Sequence, residues 1–327
     1  MKAFRSHTFH IISGLALGIL LVWLTFSHVE WEAFLNGLSA CRWEWVAVSM
    51  TAGLCALVFR GLRWRRLLLP VEPGTLRMHT IGAYCIGNLC NCALPASGEL
   101  VRSAVACRDK TRYDKVLGTA ASERVVDLLT LGGILLLLAI FGWRFIGQFV
   151  IRHIIGPLTL SLQGIRGLML PGIILLAGCG IFLLLRLGRK WTAVNRARAF
   201  LQGMWKGIAS IRQMPGTGWF LLDTVCIWSL YWLQIIAISQ ALSLGLLSKD
   251  ALLLSALGSI ASVIPVPGGI GAYHYIIALT LQSLYGMEWN TGILFATLCH
   301  ESQLMVSILS GAVSWLILPT DKAWTSR

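Results

Sequence analysis

Apolar runs approaching twenty residues recur along this chain, and that pattern restricts its fold more than any other. A helix needs about 20 predominantly apolar residues to cross a hydrocarbon core of about 30 Å. Within such a core every backbone polar group has to be satisfied internally, so the runs read as helices. The 327 residues are 56% hydrophobic and 13% charged, against about 25% charged residues in soluble domains. No polar stretch is long enough for a soluble domain of ordinary size. The chain therefore reads as an all-α, polytopic membrane protein forming a single domain over residues 1–327.

Six runs read as full spans: residues 10–27, 45–59, 116–143, 168–187, 219–244 and 291–318. The second is expected to end at Phe59, with Arg60, Arg63, Arg65 and Arg66 forming a basic cap at the membrane surface. Residues 29–44, with Glu30, Glu32, Glu44 and two Trp, suit an interfacial segment. Residues 188–215 alternate Arg and Lys with Trp191, Phe200, Leu201 and Trp205. That pattern predicts an amphipathic basic helix on a cytoplasmic membrane surface.

Two further segments are apolar but interrupted. Residues 79–94 are too short to span, because sixteen helical residues cover about 24 Å, and Pro95 and Gly98 then break the helix. A second short helix follows to residue 107. Residues 251–264 and 272–285 flank a second break, Pro265-Val266-Pro267-Gly268-Gly269-Ile270-Gly271. Both read as re-entrant pairs of broken helices, at 79–108 and 251–286. If the first enters from the cytoplasm and the second from outside, the topology is that of an inverted repeat with a site between the breaks.

This arrangement places most of the 27 Lys and Arg residues on the cytoplasmic side, with both termini inside. The net charge of +13 is thereby accounted for by topology, and no nucleic-acid partner is expected.

The stretch from Leu94 to Asp127 is the energetic anomaly. It sets Glu99, Arg102, Glu123, Arg124 and Asp127 inside or beside apolar segments. A charge at the centre of a membrane helix costs about 2.5–3.5 kcal/mol on insertion scales. Such groups are expected to pair or to line a wet cavity. Glu99 and Arg102, at i and i+3, are placed to pair on one face, and so are Arg124 and Asp127. Three carboxylates against two arginines leave one negative charge, so either one carboxylate holds a proton or the site attracts a cation. Helix starts just after the two breaks would offer free N–H groups to a phosphate.

Beyond the second break stand His274 and, in the last span, His300-Glu301. No local ligand spacing joins them, so no metal or other cofactor is expected. Nothing resembles a nucleotide-binding loop, and no nucleophile–base arrangement marks an enzyme.

Three motifs in order carry a resemblance. Asn88 or Asn91 precedes Leu94-Pro95, Gly98-Glu99 and Arg102; Glu123-Arg124-Val125-Val126-Asp127 follows; Pro265 to Gly271 completes the set. Together they resemble the lysylphosphatidylglycerol synthase transmembrane-region family, the flippase-like membrane domain. Many members carry Glu three residues after the last Gly, where this chain has His274. The resemblance implies movement of a phospholipid or polyprenyl-linked lipid between leaflets of a bacterial plasma membrane. It does not imply lysyl transfer, since the synthase domain is separate in the family.

The candidate substrate-binding residues are Asn88, Asn91, Pro95, Gly98, Glu99, Arg102, Glu123, Arg124 and Asp127 in the first half. Pro265, Pro267, Gly268, Gly269, Gly271 and His274 are those of the second. The partners expected are membrane lipids with a phosphate headgroup, with a homo-oligomer or an envelope-synthesis enzyme as further candidates. The alternatives are a small-solute secondary transporter and a non-transporting membrane partner of such an enzyme.

Overall fold

The computed structural model describes residues 18–27, 29–94, 97–107, 112–150, 202, 214–262, 264 and 266–318. Every regular element among them is helical. In chain order they are α1 (Gly18–Phe26), α2 (Trp31–Ser39), α3 (Trp43–Leu68), α4 (Arg77–Ala93), α5 (Ser97–Ala106), α6 (Tyr113–Val150), α7 (Thr217–Ala241), α8 (Ser248–Ala261), α9 (Ala272–Tyr285) and α10 (Trp289–Ile317). A short 3₁₀ turn, Pro267–Gly269, lies between α8 and α9. The expected span at 168–187, and all but three residues of the basic segment 188–215, lie outside the described residues.

Among the described residues three helices, α3, α7 and α10, are each long and apolar enough to cross a membrane. The segment expected at the interface contains α2, set at 83° to α1. α3 departs from expectation. It does not stop at Phe59 but continues through the arginines to Leu68. Its buried residues explain why: Ser49, Ala52, Gly53, Ala56, Arg60, Arg63, Trp64 and Leu67 recur every three or four positions along one stripe. The stripe packs most extensively on α7. The two helices run antiparallel, with Arg42 N–H donating to the Ala241 carbonyl at one end and Arg66 meeting Asp223 at the other.

Both interrupted segments form antiparallel hairpins. α4 ends because Leu94 is extended, with φ −131° and ψ 117°, as the residue before a proline prefers. Its 17 residues and the 10 of α5 make helices of about 25 and 15 Å, each short of a hydrocarbon core. They touch at backbone distance. A Cβ on Gly98 would stand 2.3 Å from the Gly87 carbonyl oxygen. At the open end, His79 Nε2 lies 2.9 Å from the Val105 carbonyl.

In the second hairpin α8 and α9 have 14 residues each, about 21 Å. The chain reverses through Gly268, Gly269 and Gly271 at φ of 62°, 75° and 86°, where side chains with a Cβ are strained. The tips of the two hairpins meet. The 3₁₀ turn packs on α4, and a Cβ on Gly268 would sit 3.5 Å from the Cys92 carbonyl oxygen.

Two larger core clusters hold the helices together. One joins α2, α3, α7, α8, α9 and α10 through residues such as Phe34, Ile238, Leu254, Ile277 and Phe295. The other joins α3, α4, α5, α6 and α10 through Trp64, Leu68, Tyr84, Ala106, Val116 and Val306.

Candidate functional site

The centre of the site is Glu123 on α6, whose side chain is fully buried. Its Oε1 accepts from Arg63 Nη2 at 2.9 Å and Arg60 Nη1 at 3.4 Å. Its Oε2 accepts from Arg102 Nη1 at 2.6 Å. One turn along α6, Asp127 accepts from Arg63 Nη2 at 2.6 Å and Arg60 Nη1 at 3.0 Å. A buried ion costs several kcal/mol of desolvation, offset only by good geometry and satisfied lone pairs. Here arginines from two helices, α3 and α5, converge on two carboxylates of α6, and each carboxylate oxygen has at least one guanidinium donor.

Aromatic rings complete the enclosure. Arg60 also donates to Tyr84 Oη at 2.8 Å and to Tyr231 Oη. The Arg102 guanidinium lies 4.6 Å from the Trp64 ring centre and 4.7 Å from that of Tyr84. Trp64 is itself anchored by donation to Thr119 Oγ1. Arg102 is 3% exposed, yet its Nε and Nη2 have no partner. It uses one nitrogen on Glu123 and keeps two nitrogens with N–H groups free.

Two expected pairings are corrected. Glu99 does not pair with Arg102; it accepts from Arg124 through both Nε and Nη2. Arg124 does not pair with Asp127, which faces Arg60 and Arg63. The i, i+3 spacing made both short-range pairs possible, but the antiparallel packing brought stronger long-range partners. The Glu99–Arg124 pair is half open, with side chains 20% and 50% exposed. Leu100 and Leu128 beside it are exposed as well.

The charge balance changes with these partners. Arg60 and Arg63, expected as a surface cap, belong to the cluster. Arg60, Arg63, Arg102 and Arg124 now stand against Glu99, Glu123 and Asp127, so four cations face three anions. The expected surplus of one negative charge becomes a surplus of one positive charge. Asp223 on α7 is a further residue the sequence reading passed over, and it accepts from Arg66 Nε at 2.8 Å. Helical periodicity was the available signal: Arg60, Arg63, Trp64 and Leu67 share one face, three or four residues apart.

The remaining candidates fall into place around the tips. Asn91 Oδ1 accepts from Gly98 N–H at 2.7 Å. Asn91 thereby occupies an N–H at the start of α5, one of those expected to stay open for a ligand. Asn88 is partly buried on α4. Pro95 and Pro265 lie outside the described residues, while Pro267, Gly268 and Gly269 form the 3₁₀ turn. The Gly271 carbonyl accepts from Tyr275 N–H and Thr25 Oγ1. His274 is buried and meets His300 and Glu301 rather than the arginines.

Residues 11–311 match the family described as the lysylphosphatidylglycerol synthase TM region. The chain belongs to that family. No curated protein and no solved structure matches it. Membership across nearly the whole chain, together with the three long apolar helices, makes this a multi-pass helical membrane protein of the lysylphosphatidylglycerol synthase TM family.

Proposed function

We propose that this chain moves a phosphate-bearing lipid, a phospholipid or a polyprenyl-linked lipid, between membrane leaflets without itself catalysing a covalent step. The observation that carries the reading is Arg102: buried, set against the rings of both Trp64 and Tyr84, with Nε and Nη2 unpartnered in a cluster holding one surplus positive charge. A planar guanidinium with free N–H groups suits a phosphate better than a point charge does. Arg102 and Arg124 contact the phosphate, while Glu123 and Asp127 hold the arginines in place. The headgroup enters beside Glu99 and Arg124, where an ion pair lies among exposed leucines, and the acyl tails stay in lipid.

The topology that serves this function has six spans, cytoplasmic termini and a plasma-membrane location. Its two hairpins are re-entrant and enter from opposite sides as halves of an inverted repeat. The meeting of their tips, Cys92 against Gly268, supports that arrangement. The partner is the membrane lipid itself.

The test is translocation of labelled anionic phospholipid, zwitterionic phospholipid and polyprenyl phosphate in proteoliposomes, comparing wild type with Arg102→Gln and Arg102→Lys. Wild type should move at least one class faster than empty liposomes, with Arg102→Gln at background and Arg102→Lys between them. Background rates for every class, or full rates in a folded Arg102→Gln variant, would sink the proposal.

A further inference from the structure

On the other side of the hairpin contact, three side chains that can offer lone pairs converge. His300 on α10 places Nε2 2.7 Å from the Gly268 carbonyl oxygen. A carbonyl only accepts, so that nitrogen carries the hydrogen. In the neutral ring the other nitrogen, Nδ1, is then a bare lone pair, and it faces Glu301 Oε1 at 3.1 Å. Two acceptors at that distance repel unless a cation joins them. His274 on α9 points Nε2 at the same carboxylate oxygen, 3.8 Å away. The three ligand atoms lie within 4.8 Å of one another, and the two imidazole rings are centred 5.1 Å apart.

We propose that His274, His300 and Glu301 form a transition-metal site of the zinc class, which fastens the Pro267–Gly269 turn to α9 and α10. A proton on His300 Nδ1 joins that ring to Glu301 alone, and His274 Nε2 stands 3.8 Å from the carboxylate, beyond hydrogen-bond length, whereas a metal ion draws all three together. Zinc with two histidines, one glutamate and an open fourth position is a known coordination pattern, and its bonds of about 2.0–2.1 Å separate tetrahedral ligand atoms by about 3.3 Å. The His300–Glu301 separation already matches, His274 has to approach Glu301 by about 0.5 Å, and the two histidine nitrogens, within 4.8 Å of each other, have to close by up to about 1.5 Å. The donation of His300 Nε2–H to Gly268 is the outer hydrogen bond that metal-bound histidines make, fixing tautomer and ring orientation. Glu301 is 42% exposed, which leaves the fourth position open. The site is built from the turn that meets α4, so its occupancy bears on the contact between the two hairpins.

The experiment uses the full chain in detergent, stripped of metal with a chelator and titrated with Co²⁺, then with Zn²⁺. Tetrahedral Co²⁺ ligand-field absorption should appear stoichiometrically, be bleached by Zn²⁺ and accompany a rise in Tm. Glu301→Gln, which keeps shape at a partly exposed position, should leave the metal-free Tm near wild type and weaken Co²⁺ binding by more than the roughly 10–100-fold that loss of an outer hydrogen-bond partner costs. His300→Ala should abolish the absorption. No absorption in wild type, or an unchanged titration in Glu301→Gln, overturns the proposal. So does a ¹⁵N spectrum showing His300 as an imidazolium at neutral pH with no effect of added metal, because a proton then holds the cluster together.

Discussion

Arg63 Nη2 lies 2.9 Å from Glu123 Oε1, and neither side chain has any exposed surface. This pair ties α3 to α6 where Arg102 of α5 also arrives. Removing one member leaves the other charged and buried, which costs about 3–5 kcal/mol. Arg63→Ala and Glu123→Ala should each lower stability by about that much. Thermal unfolding of the detergent-solubilised protein measures it. A double-mutant cycle with both changes should give a coupling of about 0.5–3 kcal/mol, and additivity would show that the contact does not hold the helices.

Glu99 and Arg124 form the contrasting pair, with Arg124 half exposed. If water fills the opening beside them, the pair contributes only about 0–1 kcal/mol. Arg124→Gln should then leave Tm nearly unchanged while slowing lipid movement. The charge-reversed double variant, E99R with R124E, should recover part of the lost rate. A large Tm loss in Arg124→Gln would instead mean that the pair faces lipid.

The first hairpin depends on two small residues. A Cβ on Gly98 meets the Gly87 carbonyl at 2.3 Å, and a Cβ on Gly87 meets the Gly98 carbonyl at 2.8 Å. Neither obstacle is a flexible side chain, so α4 and α5 have to separate. Gly98→Ala should cost about 1–3 kcal/mol or more and displace Arg102 from Trp64 and Tyr84. Reduced Tm together with lost translocation is the expected outcome. Wild-type behaviour in both would mean the hairpin yields more easily than its backbone contacts suggest.

Topology supplies an independent check. Reporter fusions at Gly74, Arg112 and Gly203 should report the cytoplasm, and fusions at Asn36, Lys249 and Asn290 the outside. A fusion placing Arg112 outside would make α4 and α5 a single crossing. The opposed-hairpin arrangement would then fail, while the arginine cluster would stand.

The breaks were legible in the sequence because proline and glycine act locally. Pro95 denies α4 a continuation, and Gly268, Gly269 and Gly271 supply backbone angles that other residues avoid. α9 accordingly begins and ends where the pattern predicts, at Ala272 and Tyr285. The boundary of α3 was misplaced for an equally physical reason. A run of arginines after an apolar stretch usually meets water, and only α4, α6 and α7 packed around it, with Tyr84, Glu123, Asp127 and Asp223 as partners, allow a buried alternative.

The sequence by itself determined an all-helical membrane fold, the two interrupted segments and the identity of most charged residues at the site. Those properties follow from hydropathy and backbone chemistry, which act over a few residues. The tertiary structure decided who pairs with whom. It drew Arg60 and Arg63 inward from an expected surface cap, separated Glu99 from Arg102, and joined His274 to His300 and Glu301. These partners come from different helices. Coulomb energy and desolvation depend on distances in space, and spacing along one helix does not reveal them.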